Sequence, residues 1–279
     1  MRLGQNSKPL AGVIGWPVAH SRSPRLHGAW LARYGIDGEY RLLPVEPGKL
    51  PEALRELPKR GFVGANLTIP HKETALALCD VLHPSAARAG AVNTLQFAGD
   101  KIIGSNTDGT GYLANLRAHG VDPAAGPALI LGAGGAARAI GAALQDAGAA
   151  VTFCNRTAER AAALAADFPP APALPWEQRE AALPDFALLV NTTALGMQHQ
   201  PPLQMSLDAA PSGLVVSDIV YVPLETALLK EAAARGLKAV EGLGMLLHQA
   251  VPGFEAWFGV RPVVDDELYR IVAAELLDG

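Results

Sequence analysis

One stretch constrains the chain most: Leu129-Ile130-Leu131-Gly132-Ala133-Gly134-Gly135-Ala136-Ala137-Arg138-Ala139. A short apolar run enters a glycine-dense turn, and an alanine-rich, helix-favouring segment leaves it. Gly132, Gly134 and Ala137 occupy the three small-residue positions of G-x-G-x-x-G/A. The first glycine permits a tight turn, the second lets a phosphate reach the backbone, and the small third residue lets the helix pack close to its strand. A helix N-terminus then offers free N–H groups and a positive dipole end to a pyrophosphate. The plainer reading is a strand-to-helix turn without a ligand, and residues elsewhere in the chain have to separate the two.

At about 150 residues per domain, 279 residues suggest two domains. A net charge of −4 argues against a nucleic-acid footprint, which needs a strongly basic face. Cys79 and Cys154 give neither a disulfide framework nor a metal spacing and read as small buried hydrophobes. Residues 1–8 lack an apolar signal core. The most apolar segment, 128–144, is broken by glycines and Arg138, so no membrane span is expected and the chain reads as cytoplasmic.

From its start, the chain offers a strand at 10–15, ended by Trp16-Pro17. Ser23-Pro24 reads as a hydroxyl N-cap followed by proline at the first helical position, with Leu26, Trp30 and Tyr34 on the buried face. Ser21 has no capping duty. If the segment is extended, Ser21 and Ser23 face one side and together suit a carboxylate. Capping and carboxylate binding both remain open for Ser23. Strands are expected at 38–45 and 62–67 around a helix at 50–57. Asn66 and Thr68 then share a face at a strand end. Pro70 marks a new helix with Lys72 in its first turn, where a cation opposes the dipole by about 0.3–1 kcal/mol. A local rule broken in this way points to function, although a solvated lysine beside a Thr68 cap accounts for the same residues.

Residues 91–97 and 101–104 pair across Gly99-Asp100 as a hairpin, placing Asn93 inside a mainly apolar strand, where its amide needs a partner. Asp108 precedes a helix at 112–119 and reads first as its cap. Beyond the break at Val121-Asp122-Pro123, strands at 129–131, 150–154, 186–191, 214–217 and 237–240 alternate with helices, with a loop at 168–176. This order argues for a doubly wound parallel sheet. Helices at 245–258, running past Pro252, and 265–277 close the chain.

An NAD site expects a carboxylate about 20 positions past the fingerprint. Asn155, Arg156 and Thr157 stand there instead, with Arg160 one helical turn on. A guanidinium suits a 2′-phosphate, so NADP is the expected cofactor. Surface arginines with no ligand are the plainer reading.

Nine ordered motifs now resemble one family, shikimate dehydrogenase: HSRSPRLH (20–27), NLTIPHK (66–72), AVNT (91–94), NTDG (106–109), GAGGAARA (132–139), NRT (155–157), NTTALGM (191–197), DIVYVPLET (218–226) and GLGMLLHQA (242–250). The resemblance spans nearly the whole chain. It implies an α/β fold: a Rossmann-type doubly wound NADP domain at 107–241, inserted into a discontinuous α/β substrate-binding and catalytic domain at 1–106 and 242–279, with a cleft between them. It implies reversible NADPH-dependent reduction of 3-dehydroshikimate to shikimate, on the way to chorismate and the aromatic amino acids.

Residue by residue, Lys72 and Asp108 are implied as the catalytic pair and also touch substrate. Ser21 and Ser23 bind the carboxylate. Asn66, Thr68, Asn93 and Gln249 bond the ring hydroxyls and carboxylate, and Tyr221 lines the pocket. Gly132, Ala133, Gly134, Gly135 and Ala136 hold the pyrophosphate, and Asn155, Arg156, Thr157 and Arg160 surround the adenosine phosphate. Met197 and Gly242 lie near the nicotinamide, and Thr192 and Ile219 are also implied to bind the cofactor. No metal, nucleic acid or membrane partner is implied, and a homodimer is left open. Gly28 and Ala227 depart from the asparagine and proline often found at their positions. Two alternatives stand beside this reading: a broader quinate/shikimate dehydrogenase, and a non-catalytic nucleotide or metabolite sensor. Arg156 speaks against an NAD-dependent form of the first. Retention of both Lys72 and Asp108 speaks against the second.

Overall fold

The computed structural model describes residues 8–277, with side chains through 274. The chain divides into two compact units. The first runs to Thr107 and resumes over Gln249–Ala274, and the second covers Asp108–His248.

The first unit contains β1 (Leu10–Gly15), α1 (Ser23–Arg33), β2 (Glu39–Pro44), α2 (Leu50–Glu56), β3 (Gly64–Leu67), β4 (Val81–Leu82), α3 (Pro84–Ala89), β5 (Thr94–Ala98) and β6 (Lys101–Ser105). They form a mixed sheet in the order β2-β1-β3-β5-β6-β4. β1 lies parallel to both β2 and β3 and is almost entirely buried, which is why Leu-Ala-Gly-Val-Ile-Gly shows no polar alternation. β5 runs antiparallel to β3 and pairs Thr94 with Asn66. The expected hairpin joins β5 to β6, with Gly99 at φ +62° supplying the left-handed turn residue.

The second unit contains α4 (Asp108–Ala118), β7 (Ala128–Leu131), α5 (Gly135–Asp146), β8 (Val151–Cys154), α6 (Ala158–Ala166), β9 (Ala173–Leu174), β10 (Leu188–Asn191), β11 (Val215–Asp218), α7 (Ala227–Ala234) and β12 (Lys238–Val240). Every pairing in its sheet is parallel, and the order is β12-β11-β10-β7-β8-β9. Counted from β7, that is 3-2-1-4-5-6, the doubly wound order, with its switch point between β7 and β10. Ligands of such sheets bind beyond the carboxyl ends of the strands at that point. α8 (Leu243–Phe258) leaves the second unit and enters the first at Gln249, continuing through Pro252 as its apolar run implied. α9 (Asp266–Leu277) ends the described chain. Among the described residues no helix is long and apolar enough to cross a membrane.

Several local expectations change. Ser23 is the first helical residue, Arg22 is the N-cap, and no side chain caps α1. Arg22 has helical dihedrals, so 21–23 is not the extended segment that would set two hydroxyls on one side. Ser21 takes the local duty instead, its Oγ accepting the Ser23 N–H at 3.3 Å. No α-helix opens at Pro70. Residues 68–71 close a turn through a His71 N–H to Thr68 O bond of 2.9 Å, and only a short 3₁₀ segment, Thr74–Leu78, follows. Lys72 therefore opposes no helix dipole, and that argument for its function falls away. Asn93 precedes β5 rather than lying within it. The loop at 168–176 contributes β9, held at the sheet edge by parallel pairing with β8. Cys154 is buried, whereas Cys79 is only partly so.

Candidate functional site

In the first unit three of the polar residues singled out from sequence, Asn66, Asn93 and Gln249, are tied into one network. β3 delivers Asn66 beside β1 on one side and Thr94 on the other. Asn66 Oδ1 accepts the Tyr40 hydroxyl at 2.7 Å, and its Nδ2 donates to Asn93 O and Thr94 Oγ1, each at 3.1 Å. Asn93 Oδ1 accepts from the Thr107 N–H and the Thr94 hydroxyl, both at 2.9 Å. Asn93 Nδ2 donates to Thr107 Oγ1 at 3.0 Å and to Gln249 Oε1 at 3.4 Å. Asn66, Asn93, Thr94, Thr107 and Gln249 are all at least nine-tenths buried. Buried amides so fully paired are fixed in orientation as well as place. Gln249 stands at the point where α8 enters this unit, which explains how a residue so late in sequence meets Asn93.

Ser23 is buried and Ser21 partly so. The Ser23 hydroxyl also reaches the Tyr40 phenol, whose deprotonation burial drives well above its ordinary range. The Thr68 N–H is held by Ile14 O at 2.9 Å. Lys72 is half-buried, and its carbonyl accepts the Val92 N–H at 2.8 Å, so the backbone beneath this lysine is anchored independently of its side chain. The neighbouring His71 ring is buried and bonded to Val45 O at 2.8 Å.

In the second unit, β7 ends at Leu131 and Gly132 turns the chain at φ +121°, a conformation that side chains other than hydrogen rarely tolerate. A Cβ there would lie 2.4 Å from Thr192 Oγ1, so glycine is required twice over. Thr192 follows β10 across the switch point and donates to Leu131 O at 2.7 Å. Gly134 is the N-cap of α5, no side chain caps it, and the space where its Cβ would be is open. The first turn of this twelve-residue helix therefore carries no side-chain cap. Arg160 Nη2 donates back to Ala133 O at 3.3 Å, linking α6 to the glycine turn. Beyond β8, Asn155 Nδ2 bonds Thr157 O at 3.0 Å while Arg156 and Thr157 are exposed. An uncapped helix N-terminus, an open glycine and an exposed guanidinium at the next strand end fit a phosphorylated dinucleotide.

Asp108 is buried as the first residue of α4, and Gly109 packs that helix against the Ala139 carbonyl of α5. A Cβ on Gly242 would sit 2.4 Å from Ile219 O, so this glycine lets the two segments touch. Met197 is 40% exposed on the loop after β10, and Tyr221 is partly exposed on the loop after β11. Between those loops lies a residue that sequence reasoning misses. Asp218 is 1% exposed at the end of β11, and burial pushes its carboxyl up to about 6. Tyr40, Thr94 and Thr107 escape it as well. Nothing local in sequence marks them, because their partners lie on other elements.

Comparisons with known proteins agree with this architecture. A family model described as shikimate dehydrogenase substrate binding domain matches residues 13–95, and one described as shikimate 5'-dehydrogenase C-terminal domain matches 242–265. Shikimate dehydrogenase (NADP(+)) of Acidiphilium cryptum is 68% identical over 96% of this chain and 97% of the relative. The crystal structure of shikimate 5-dehydrogenase from Thermus thermophilus in complex with NADP(H) and shikimate superposes with a TM-score of 0.87 at 40% identity, covering 97% of this chain and 100% of that one. Quinate dehydrogenase from Corynebacterium glutamicum in complex with NAD is more distant in sequence, at 29% identity over 98% of this chain and 100% of that one, with a TM-score of 0.88. Identity this high over nearly the full length of both proteins, on a matching fold, means that the chain belongs to the shikimate dehydrogenase family.

Proposed function

We infer that the protein catalyses the reversible NADPH-dependent reduction of 3-dehydroshikimate to shikimate in aromatic amino acid biosynthesis. The full-length 68% identity to an NADP(+)-dependent shikimate dehydrogenase carries this reading. NADPH, when bound, supplies the hydride. The glycine turn 132–136, with Thr192, Met197, Ile219 and Gly242, holds the cofactor. Ser21 and Ser23 take the substrate carboxylate through short, charge-assisted hydroxyl bonds. Asn66, Thr68, Asn93 and Gln249 read the ring hydroxyls. Their amides are already oriented by the buried network, so little reorganisation is needed on binding. Lys72 delivers the proton to the oxygen that becomes negative as the ketone is reduced, and Asp108 is its acid–base partner. Tyr221 closes the pocket lining.

The deciding assay is NADP reduction by shikimate, with quinate and NAD as parallel arms. Turnover confined to shikimate with NADP is expected. Equal turnover of quinate would move the assignment to a broader dehydrogenase, and none with any pair to a sensor.

Arg156 sets cofactor choice in this reading. A hydrogen bond to a charged group is worth enough that its loss changes a binding ratio on the order of 10- to 100-fold. Arg156→Ala is therefore expected to lower the NADPH-over-NADH preference in kcat/KM by that factor, mainly through KM for NADPH. An unaltered preference would remove Arg156 from the 2′-phosphate site.

A further inference from the structure

The loop after β10 (192–198) and the loop after β11 (219–226) carry Thr192, Met197, Ile219 and Tyr221. One carboxylate joins them. Asp218 Oδ1 accepts from Asn191 Nδ2 at 2.9 Å and from the Val220 N–H at 3.0 Å, and Oδ2 accepts the Thr226 hydroxyl at 2.8 Å. Each partner extends the tie. Asn191 Nδ2 also donates to Leu195 O at 3.1 Å, and its Oδ1 accepts the Thr193 N–H at 3.0 Å and the Thr193 hydroxyl at 2.7 Å, which shapes the first loop. Thr226 caps α7 by accepting the Leu229 N–H, which fixes the far end of the second loop. The loops then meet directly where the Gln198 N–H donates to Val222 O at 2.7 Å. Gly242 presses on Ile219 O from a third segment, so a shift in the second loop is felt there too.

We propose that Asp218 is a positioning residue for the nicotinamide half of the cofactor site: by accepting three hydrogen bonds it holds the β10 and β11 loops in the one arrangement that receives the nucleotide. Asp218 acts through Asn191, Val220 and Thr226 rather than by touching a reacting group. What it contributes is acceptor geometry rather than charge. An amide of the same shape keeps Oδ1 for Asn191 and Val220 and offers its Nδ2 to Thr226, whose hydroxyl can accept as well as donate. A methyl group takes the acceptor away from the buried Val220 N–H and the Thr226 hydroxyl and leaves Asn191 Nδ2 with Leu195 O alone. A role confined to global stability would lower the melting temperature and leave nucleotide affinity alone.

This inference rests on the proposed function for the identity of the nucleotide, and the experiment separates the two. NADPH binding to the full chain is measured by titration calorimetry for wild type, Asp218→Ala and Asp218→Asn. Tm, and kcat at saturating NADPH, are recorded alongside. Expected results are an NADPH Kd raised on the order of 10-fold or more in Asp218→Ala, with kcat at saturation changed less than about threefold, and a Kd within about threefold of wild type in Asp218→Asn. Should Asp218→Ala not fold, Thr226→Val removes one of the three donors together with the α7 cap, and is expected to raise Kd roughly 3- to 10-fold. A Kd within about twofold of wild type in the variant lacking the bond, with only Tm lowered, overturns the proposal. So does equal weakening by alanine and asparagine, which would assign the effect to charge. Wild-type protein that binds NADPH but turns over no shikimate would break the proposed function and leave this inference standing. Wild-type protein that binds no NADPH overturns both.

Discussion

Lys72→Ala is expected to lower kcat for shikimate oxidation by about 10²–10⁴-fold, the usual worth of a positioned proton-transfer group. KM for shikimate should move only a few-fold. The split follows from what the ammonium does. In the proposed mechanism it stabilises negative charge that exists on the oxygen only as the hydride moves, so its contribution is concentrated in the transition state. In the proposed site the carboxylate and ring hydroxyls fall to Ser21, Ser23, Asn66, Asn93 and Gln249, none of which the substitution alters. The backbone at Lys72 is anchored by the Val92 N–H at 2.8 Å, so truncation of the side chain leaves the turn in place. Steady-state kinetics of the purified variant, with NADP saturating and Tm as the folding control, give the answer. Undiminished turnover would take Lys72 out of the mechanism, and a KM rise with kcat unchanged would make it a binding residue.

The second large effect concerns stability in acid. His27 lies on α1 with no exposed surface, stacked on Tyr40 at a ring separation of 3.9 Å and an interplanar angle of 5°. The rings of Trp30, Phe254 and Trp257 also pack against it. Neither ring nitrogen has a hydrogen-bond partner. Burial accordingly pushes the imidazole down from 6.5 to about 3. The unfolded chain then holds one more proton than the native one between those two values. Stability from this group is complete above pH 6.5 and is lost as pH falls toward 3, by about 1.4 kcal/mol per unit and about 5 kcal/mol in all.

Asp218 works in the opposite direction. Its folded carboxyl titrates near 6 against an ordinary 3.8, so its contribution is present below 3.8 and is lost as pH rises through 6. The two slopes oppose each other between about pH 4 and 6, which makes the wild-type profile alone uninformative. The difference between wild type and His27→Phe isolates the imidazole. It should grow steadily in favour of wild type as pH rises from 3 to 6.5 in urea unfolding. Any packing penalty from the larger ring is constant with pH and cancels in the slope. A pH-independent difference would mean that His27 is charged, or bonded, in the folded protein.

How much of the molecule is legible in its sequence depends on the range of the interactions involved. The glycine turn can be read directly because its requirement is local: Gly132 needs a positive φ, and G-x-G-x-x-A records that within six residues. The parallel strands of the second unit are legible for a related reason, since a strand buried on both faces must be a short apolar run. Arg156 is found by position relative to that turn. Lys72 stands out in sequence on the premise of a helix at Pro70 that does not form, and its case rests on the family relationship. The serine pair reads as extended, whereas Arg22 is helical and Ser21 bonds the Ser23 N–H.

By itself the sequence determined the strand-and-helix order, the dinucleotide turn, the guanidinium that points to NADP and the motifs that place the chain in its family. Tertiary structure alone decided which polar groups answer one another. Tyr40 meets Asn66 across 26 positions, Asn191 meets Asp218 across 27, and Asn93 meets Gln249 across 156. A hydrogen bond is directional and short, so its partners are chosen by which strands lie side by side and where a helix crosses over. Backbone propensity and hydrophobic period act over a few residues and carry no record of that choice.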